Sequence, residues 1–229
     1  MSNLPGVDVR GSRHPGILGA AAALTRFNGR HPWSHNDHFH PWILRNLPER
    51  RRLAIDIGCG QGALVTRLAP HFDRVHGTDL DAGMRTQASA RCVGLTNVTI
   101  DDAQLADLDG PVDLVTMVAV LHHLDASHAL TQIARLLAPG GRFLAVGLAP
   151  PVTLRDTAWD LLSAVTNPVI GLIRHPHPLR EGVGPAPFPV AEPRLSFDGL
   201  HDLVRAVMPG ATMRHRLAFR HTIRWTRPD

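Results

Sequence analysis

A chain of 229 residues, 44% apolar and 19% charged, has the size and composition of one globular domain whose core needs no external staple. All 24 positive side chains are arginine and there is no lysine or tyrosine, so the formal charge of +4 persists to high pH without marking a dense basic patch. The two cysteines, Cys59 and Cys92, have no zinc or disulfide-framework spacing, and no apolar stretch reaches the length of a membrane span.

Residues 1–32 are punctuated by Pro and Gly and read as a loose arm with a short helix around Ile17 to Arg26. The apolar stretch 16–24 behind Arg10 and Arg13 imitates a signal peptide but is short, and a cytoplasmic protein is expected. Trp33 to Leu47 reads as an aromatic-rich helix. His31, His35, His38 and His40 have spacings that could ligate a metal on a helix, yet no Cys or carboxylate set accompanies them, and no metal is expected.

From Leu53 onward strand and helix patterns alternate. Strands are predicted at 53–57, 74–79, 97–101, 112–118 and 142–148, and helices at 61–70, 82–92 and 126–138, which argues for a parallel sheet with helices on both faces. Pro139-Gly140-Gly141 is expected to end the last of these helices and open the fifth strand. Val152 to Arg174 is amphipathic and reads as a helix interrupted at Pro168, and 175–195 is proline-rich and irregular. Ser196 is a candidate N-cap for a helix ending near Met208, before Pro209-Gly210. Residues 211–217 and 221–227 alternate as a terminal hairpin. Its series Arg214, Arg216, Arg220, Arg224 and Arg227 reads as a solvated sheet edge.

The most informative stretch runs from Leu53 to Leu64. An apolar strand ends in Asp56 and gives way to Gly58, Gly60 and Gly62, after which a helix begins. Such a turn lets a ligand lie against the backbone, near N–H groups at a helix N-terminus. Gly58, Gly60 and Ala63 also satisfy the G-x-G-x-x-A dinucleotide fingerprint. Asp56 tilts the balance, because a carboxylate before the turn suits a ligand with an amino group and no pyrophosphate. The pattern Asp56-x-Gly58-x-Gly60-x-Gly62 resembles motif I of the class I S-adenosylmethionine-dependent methyltransferases.

Asp79 ends the second expected strand, where a carboxylate can accept two hydrogen bonds from ribose hydroxyls. Capping the next helix is the bland alternative, and Asp81 fills that role better. The resemblance puts the adenine amino group on Asp102 and a ring nitrogen on the Ala103 N–H, with Asp101 the competitor if the register slips. It also places Leu80 on the adenine face, and Cys59 and Val118 in the cofactor pocket. Val112-Asp113-Leu114-Val115, Val120-Leu121-His122-His123-Leu124 and Leu136 to Arg142 extend the resemblance, which covers residues 53–148. The implied fold is α/β: a Rossmann-like doubly wound sheet, mostly parallel with a C-terminal antiparallel hairpin strand, and helices on both faces. Residues 1–52 form an N-terminal arm and cap helix. Residues 53–229 form the methyltransferase domain, with a variable substrate or lid segment at 149–195.

His122 and His123 follow the fourth strand, at the edge where open α/β sheets bind ligands. His123 is the candidate base for an acceptor proton, against a structural or cofactor-shaping role for the pair. His35, Asn36 and His38 could cover the cofactor, or Phe39, Trp42 and Ile43 could simply pack their helix on the core. Acceptor choice should come from this helix and from 149–195, where Trp159, Leu161, Leu162, Val165, Ile170 and Ile173 suit an apolar lid, a dimer surface or a membrane-touching helix.

The fourth strand lacks the Asn/Asp-Pro-Pro-aromatic block of enzymes acting on planar nitrogens. The expected activity is methyl transfer from S-adenosyl-L-methionine, leaving S-adenosyl-L-homocysteine, to a small-molecule acceptor by in-line displacement. The acceptor atom (O, N or C) stays open. Alternatives are an RNA or protein methyltransferase, a non-catalytic cofactor-binding protein and a nicotinamide-dependent oxidoreductase. A monomer or homodimer is expected, without nucleic acid.

Overall fold

The structure is a computed structural model and describes residues 36–174 and 193–229. The helix expected at 17–26, and the residues His31 and His35, lie outside these, as does most of 175–195. A 3-10 turn at Asp37–Phe39 leads into a short helix α1 (His40–Leu44), well short of the helix expected over 33–47. Then follow β1 (Leu53–Ile57), α2 (Ala63–Leu68), β2 (Arg74–Thr78), α3 (Ala82–Arg91), β3 (Val98–Asp101), β4 (Val112–Val118), α4 (Ala126–Leu136) and β5 (Leu137–Gly147). Helices α5 (Leu154–Arg174) and α6 (Phe197–Val207) precede the hairpin β6 (Thr212–Arg216) and β7 (Arg220–Thr226).

The seven strands form one sheet in the order β3-β2-β1-β4-β5-β7-β6. The first five run parallel, and β7 and β6 are antiparallel to their neighbours. Alternate strand residues feed two cores, one on each face. Ile55, Val115, Phe143, Ile223 and Trp225 pack with α4 and α6, while Ala54, Leu114, Leu144 and Val146 pack with α1 and α2. Asp113, on β4, is buried and holds the approach to β1. It accepts hydrogen bonds from the N–H groups of Arg52 and Leu53 and pairs with the Arg50 guanidinium at 2.5 Å.

Two local expectations change. Leu137 already pairs with Val112 across a register shift, so Pro139-Gly140-Gly141 lies inside the strand, where the Gly140 N–H donates to the Arg227 carbonyl. Helix α5 also runs unbroken through Pro168. The ring removes one N–H from the helical ladder, but Ser163, Asn167 and Gly171 are buried on both sides of it and anchor the helix across the gap.

Candidate active site

The carboxyl ends of β1, β2 and β3 present the first half of the site. Gly58 and Gly60 both have positive φ (68° and 53°), a region that side-chain-bearing residues avoid. A Cβ on Gly58 would lie 2.3 Å from Val120 Cγ2, whereas one on Gly60 would meet nothing within 4 Å. The first glycine is therefore fixed by packing and the second borders open space. The Cys59 N–H donates to the Thr78 carbonyl and the Gly60 N–H to Asp79 Oδ2 at 2.8 Å, tying the turn to β2. Asp79 Oδ1 accepts from the Asp81 N–H, and Asp81 itself caps α3 through the Met84 N–H. Each Asp79 oxygen keeps a lone pair for a further donor.

Asp56 is only 2% exposed and accepts from the Thr116 hydroxyl at 2.6 Å. Burial pushes its carboxyl up to about 7, against the pull of the Thr116 hydrogen bond and with the charge of Asp79 adding to the rise. Cys59 is buried; desolvation, then Asp56 and Asp79, raise its thiol far above the ordinary range, so it lines the turn rather than reacting. Leu80, just past the end of β2, is 70% exposed. At β3 the Ala103 N–H donates to Asp101 Oδ1, and His76 Nε2 lies 2.8 Å from Asp101 Oδ2. Asp102 is exposed, with Arg85 Nη2 at 3.5 Å. The register thus separates two neighbouring acids: Asp101 holds the turn together and Asp102 faces out. Val118, half-buried, packs against the core beneath.

The second half lies above β4, β5 and β7. Ala119 takes φ 59°, a costly conformation for a non-glycine residue, and its N–H donates to the Val146 carbonyl at 2.7 Å. The chain then turns sharply through a 3-10 helix at Leu121–His123. His123 is exposed; His122 is half-buried, its ring 4.1 Å from that of His123 and its Nδ1 buried without a hydrogen-bond partner among the described residues. Burial, then His123 and Arg220, lower His122 to about 4.

His221 is 2% exposed and lies over Gly147, where a Cβ would come within 2.4 Å of its Nε2. That nitrogen also has no hydrogen-bond partner among the described residues, and burial lowers the imidazole to about 3. Across the hairpin His215 pairs in register with His221, stacks on Phe197 at 3.6 Å, and sets its Nε2 3.5 Å from Asp156 Oδ1.

Two clefts meet at His221. One, with about 410 Å³ of empty space including its solvent mouth, is lined by Leu121, His122, Leu124, Leu148 and Leu200. The other, about 330 Å³ on the same measure, is lined by Pro150, Trp159, His215, Arg216, Phe219 and Arg220. His123 lines neither.

The comparisons with known proteins agree with this geometry. Residues 55–143 match the family profile described as a methyltransferase domain. A Mycobacterium tuberculosis protein, known as an uncharacterized methyltransferase, is 32% identical over 207 residues, covering 86% of this chain and 98% of that protein. The chain belongs to the S-adenosylmethionine-dependent methyltransferases. Solved structures share the fold of this methyltransferase. Magnesium protoporphyrin IX methyltransferase from Synechocystis PCC 6803 with bound SAM has a TM-score of 0.52 at 18% identity, covering 99% of this chain and 86% of that one. The N-methyltransferase NodS from Bradyrhizobium japonicum WM9 has a TM-score of 0.53 at 17% identity, covering 84% and 96%.

The methyltransferase has a first half that fits its cofactor. The space beside Gly60 is open, Asp79 has spare acceptor capacity at that opening, and Asp56 is a buried carboxylate that a nearby cation would ionise fully. Sequence reasoning missed Thr116, Ala119, Asp156, His215, Arg220 and His221. Only Asp156 had a local signal: with Thr153 it forms a capping-box spacing, and it accepts from the Val152 and Thr153 N–H groups at the start of α5.

Of the N-terminal residues, Phe39 and Ile43 are buried in the core. Asn36 Oδ1 accepts from Arg220 Nε and Nη2 at 3.4 and 3.1 Å. Of the five C-terminal arginines expected at a solvated edge, Arg216, Arg220, Arg224 and Arg227 donate to the protein's own oxygens. Among the described residues no helix is long and apolar enough to cross a membrane.

Proposed function

We propose that this methyltransferase acts on a small-molecule acceptor in the cytoplasm, binding its cofactor at the carboxyl ends of β1–β3 and its acceptor above β4, β5 and β7. The observation that carries the reading is the pairing at Gly60: an open face with no side chain beside an Asp79 carboxylate anchored by the turn's own N–H. Asp56 and the Gly58–Gly62 turn would hold the methionine end, Asp79 the ribose hydroxyls, and Asp102 with the Ala103 N–H the adenine, beneath Leu80. Ala103 would have to release Asp101 Oδ1 to do so. S-adenosylmethionine supplies a methyl group on a sulfonium, already activated for in-line displacement.

The chain's own residues must then position the acceptor and exclude water. Residues 1–52 serve as arm and cap, and 149–195 as the segment that selects the acceptor. Engagement of the C-terminal arginines within the protein leaves no free basic stripe there, which suits a metabolite better than RNA. Asp79→Ala should weaken binding of S-adenosylhomocysteine at least about tenfold in a calorimetric titration, through loss of charge-assisted contacts. Unchanged affinity would refute the ribose assignment, and radiolabel from the methyl donor appearing in the macromolecular fraction of an extract would refute the metabolite reading.

A further inference from the structure

We infer that the two clefts beside His221 form a single acceptor site, and that it takes a small ring-bearing acid whose carboxylate is held by Arg220. The inference rests on the methyl-transfer reading of the cofactor side. Arg194, Arg216 and Arg220 contribute cations to the two walls, against the carboxylates Asp156 and Asp160. Asp156 Oδ2 accepts from the Val152 and Thr153 N–H groups at the start of α5, which offset part of its charge, and Oδ1 lies 3.5 Å from His215 Nε2.

Arg220 is half-buried, and its hydrogen bonds among the described residues all go to neutral oxygens, those of Asn36, Ala218 and Phe219. The Nε–Nη2 edge of this partly desolvated guanidinium is taken by Asn36, and a carboxylate would meet its outer Nη N–H groups, where the charge strengthens the bond. His221 Nε2, buried and unpartnered at the junction of the clefts, adds a polar group that a bound molecule would satisfy. Trp159, Phe219 and Pro150 give the cleft flat apolar faces on which a single ring could lie. Gly147 keeps the junction open, because any Cβ there would displace the His221 ring.

The test uses the full chain saturated with S-adenosylhomocysteine and titrated with benzoate and with its neutral isostere benzamide. Benzoate should bind roughly tenfold more tightly than benzamide, the difference expected of a charge-assisted contact. Arg220→Gln should abolish that preference while S-adenosylhomocysteine affinity stays unchanged, and Arg220→Lys, which keeps the charge, should retain part of it. Gly147→Ala should weaken acid and amide alike. Equal binding of the two probes, failure of both to bind, or a preference that survives Arg220→Gln would overturn the inference while leaving the cofactor reading intact. Failure of S-adenosylhomocysteine to bind would remove both.

Discussion

The two halves of the carboxyl edge are built in different ways. On the cofactor side, backbone N–H groups meet carboxylates close by in the chain, Gly60 on Asp79 and Ala103 on Asp101, and the one distant contact, the Thr116 hydroxyl on Asp56, joins adjacent strands. On the acceptor side, Asn36 meets Arg220, His215 meets Asp156, and His221 lies over Gly147, partners drawn from four or more separate elements. The first half is a local device set into a sheet. The second exists only once α5 and the hairpin have docked. The former depends on the parallel strands that open the fold, whereas the latter depends on the antiparallel hairpin and α5 added at its edge.

The sharpest way to break this contrast lies in the turn. Gly58→Ala should cost roughly 2–3 kcal/mol of stability, from a clash with Val120 added to a left-handed backbone, and should reduce cofactor affinity about 100-fold. Gly60→Ala should cost only about 1 kcal/mol, the backbone term alone, yet weaken the cofactor to a similar degree because its methyl enters the open cradle. Thermal melts and titrations of both variants check this, and wild-type binding by Gly60→Ala would show that the cradle lies elsewhere.

A smaller effect is expected in the pH dependence of cofactor binding. With Asp56 near 7 in the free protein, a cationic ligand favours its ionised form. Affinity should therefore fall as pH drops through 7, by up to about tenfold per unit. Asp56→Asn should bind more weakly and with a flat profile over the same range.

The two halves should also answer acid in opposite directions. His221 and His122 on the acceptor side, and His40 at the start of α1, have folded values of about 3, 4 and 4, below the unfolded 6.5. The unfolded chain therefore takes up protons that the fold excludes, and stability is lost as pH falls from 6.5 toward these values. For the well-buried His40 and His221 the slope is at most about 1.4 kcal/mol per pH unit each.

Asp56 has a folded value raised above the unfolded 3.8, so its contribution improves as pH falls from 7 to 3.8. The histidines outnumber it, and denaturant melts from about pH 7.5 to 5 should show a net loss of stability. The loss should be shallower in His221→Gln and steeper in Asp56→Asn. A profile that His221→Gln leaves unchanged would remove His221 from the account.

The smallest effects belong to α5, whose polarity is inverted. Leu161 and Val165 are 61% and 64% exposed, whereas Ser163 is 0% and Asn167 4% exposed. Leu161→Ser and Val165→Ser should each change stability by about 0.5 kcal/mol or less. Ser163→Leu should cost about 1–3 kcal/mol, because it overfills a contact in which the Phe219 N–H donates to the Ser163 hydroxyl. Chemical denaturation of the three variants measures the contrast.

The strands at 53–57 and 112–118 have the bounds read from their apolar runs, and Ser196 caps α6 through the Gly199 N–H as its position suggests. These features depend on neighbours a few residues away. Helix α5 marks where such reading stops. Its periodicity revealed an apolar face, but the face buried against the hairpin carries Asp156 and Ser163, because the hydrogen-bonding partners waiting there are His215 and the Phe219 N–H. The absence of His215 and His221 from that reading has the same origin. A His-His pair after a strand is visible in a line of text, whereas a histidine laid over Gly147 by an antiparallel register is not.

By itself the sequence determined the parallel sheet, the glycine turn and the acids that face it, since each follows from short-range periodicity, backbone sterics and strand ends. The tertiary structure alone decided which histidines, arginines and carboxylates share the acceptor clefts. Those contacts arise from strand register and helix docking, which bring together residues as distant as Asn36 and Arg220.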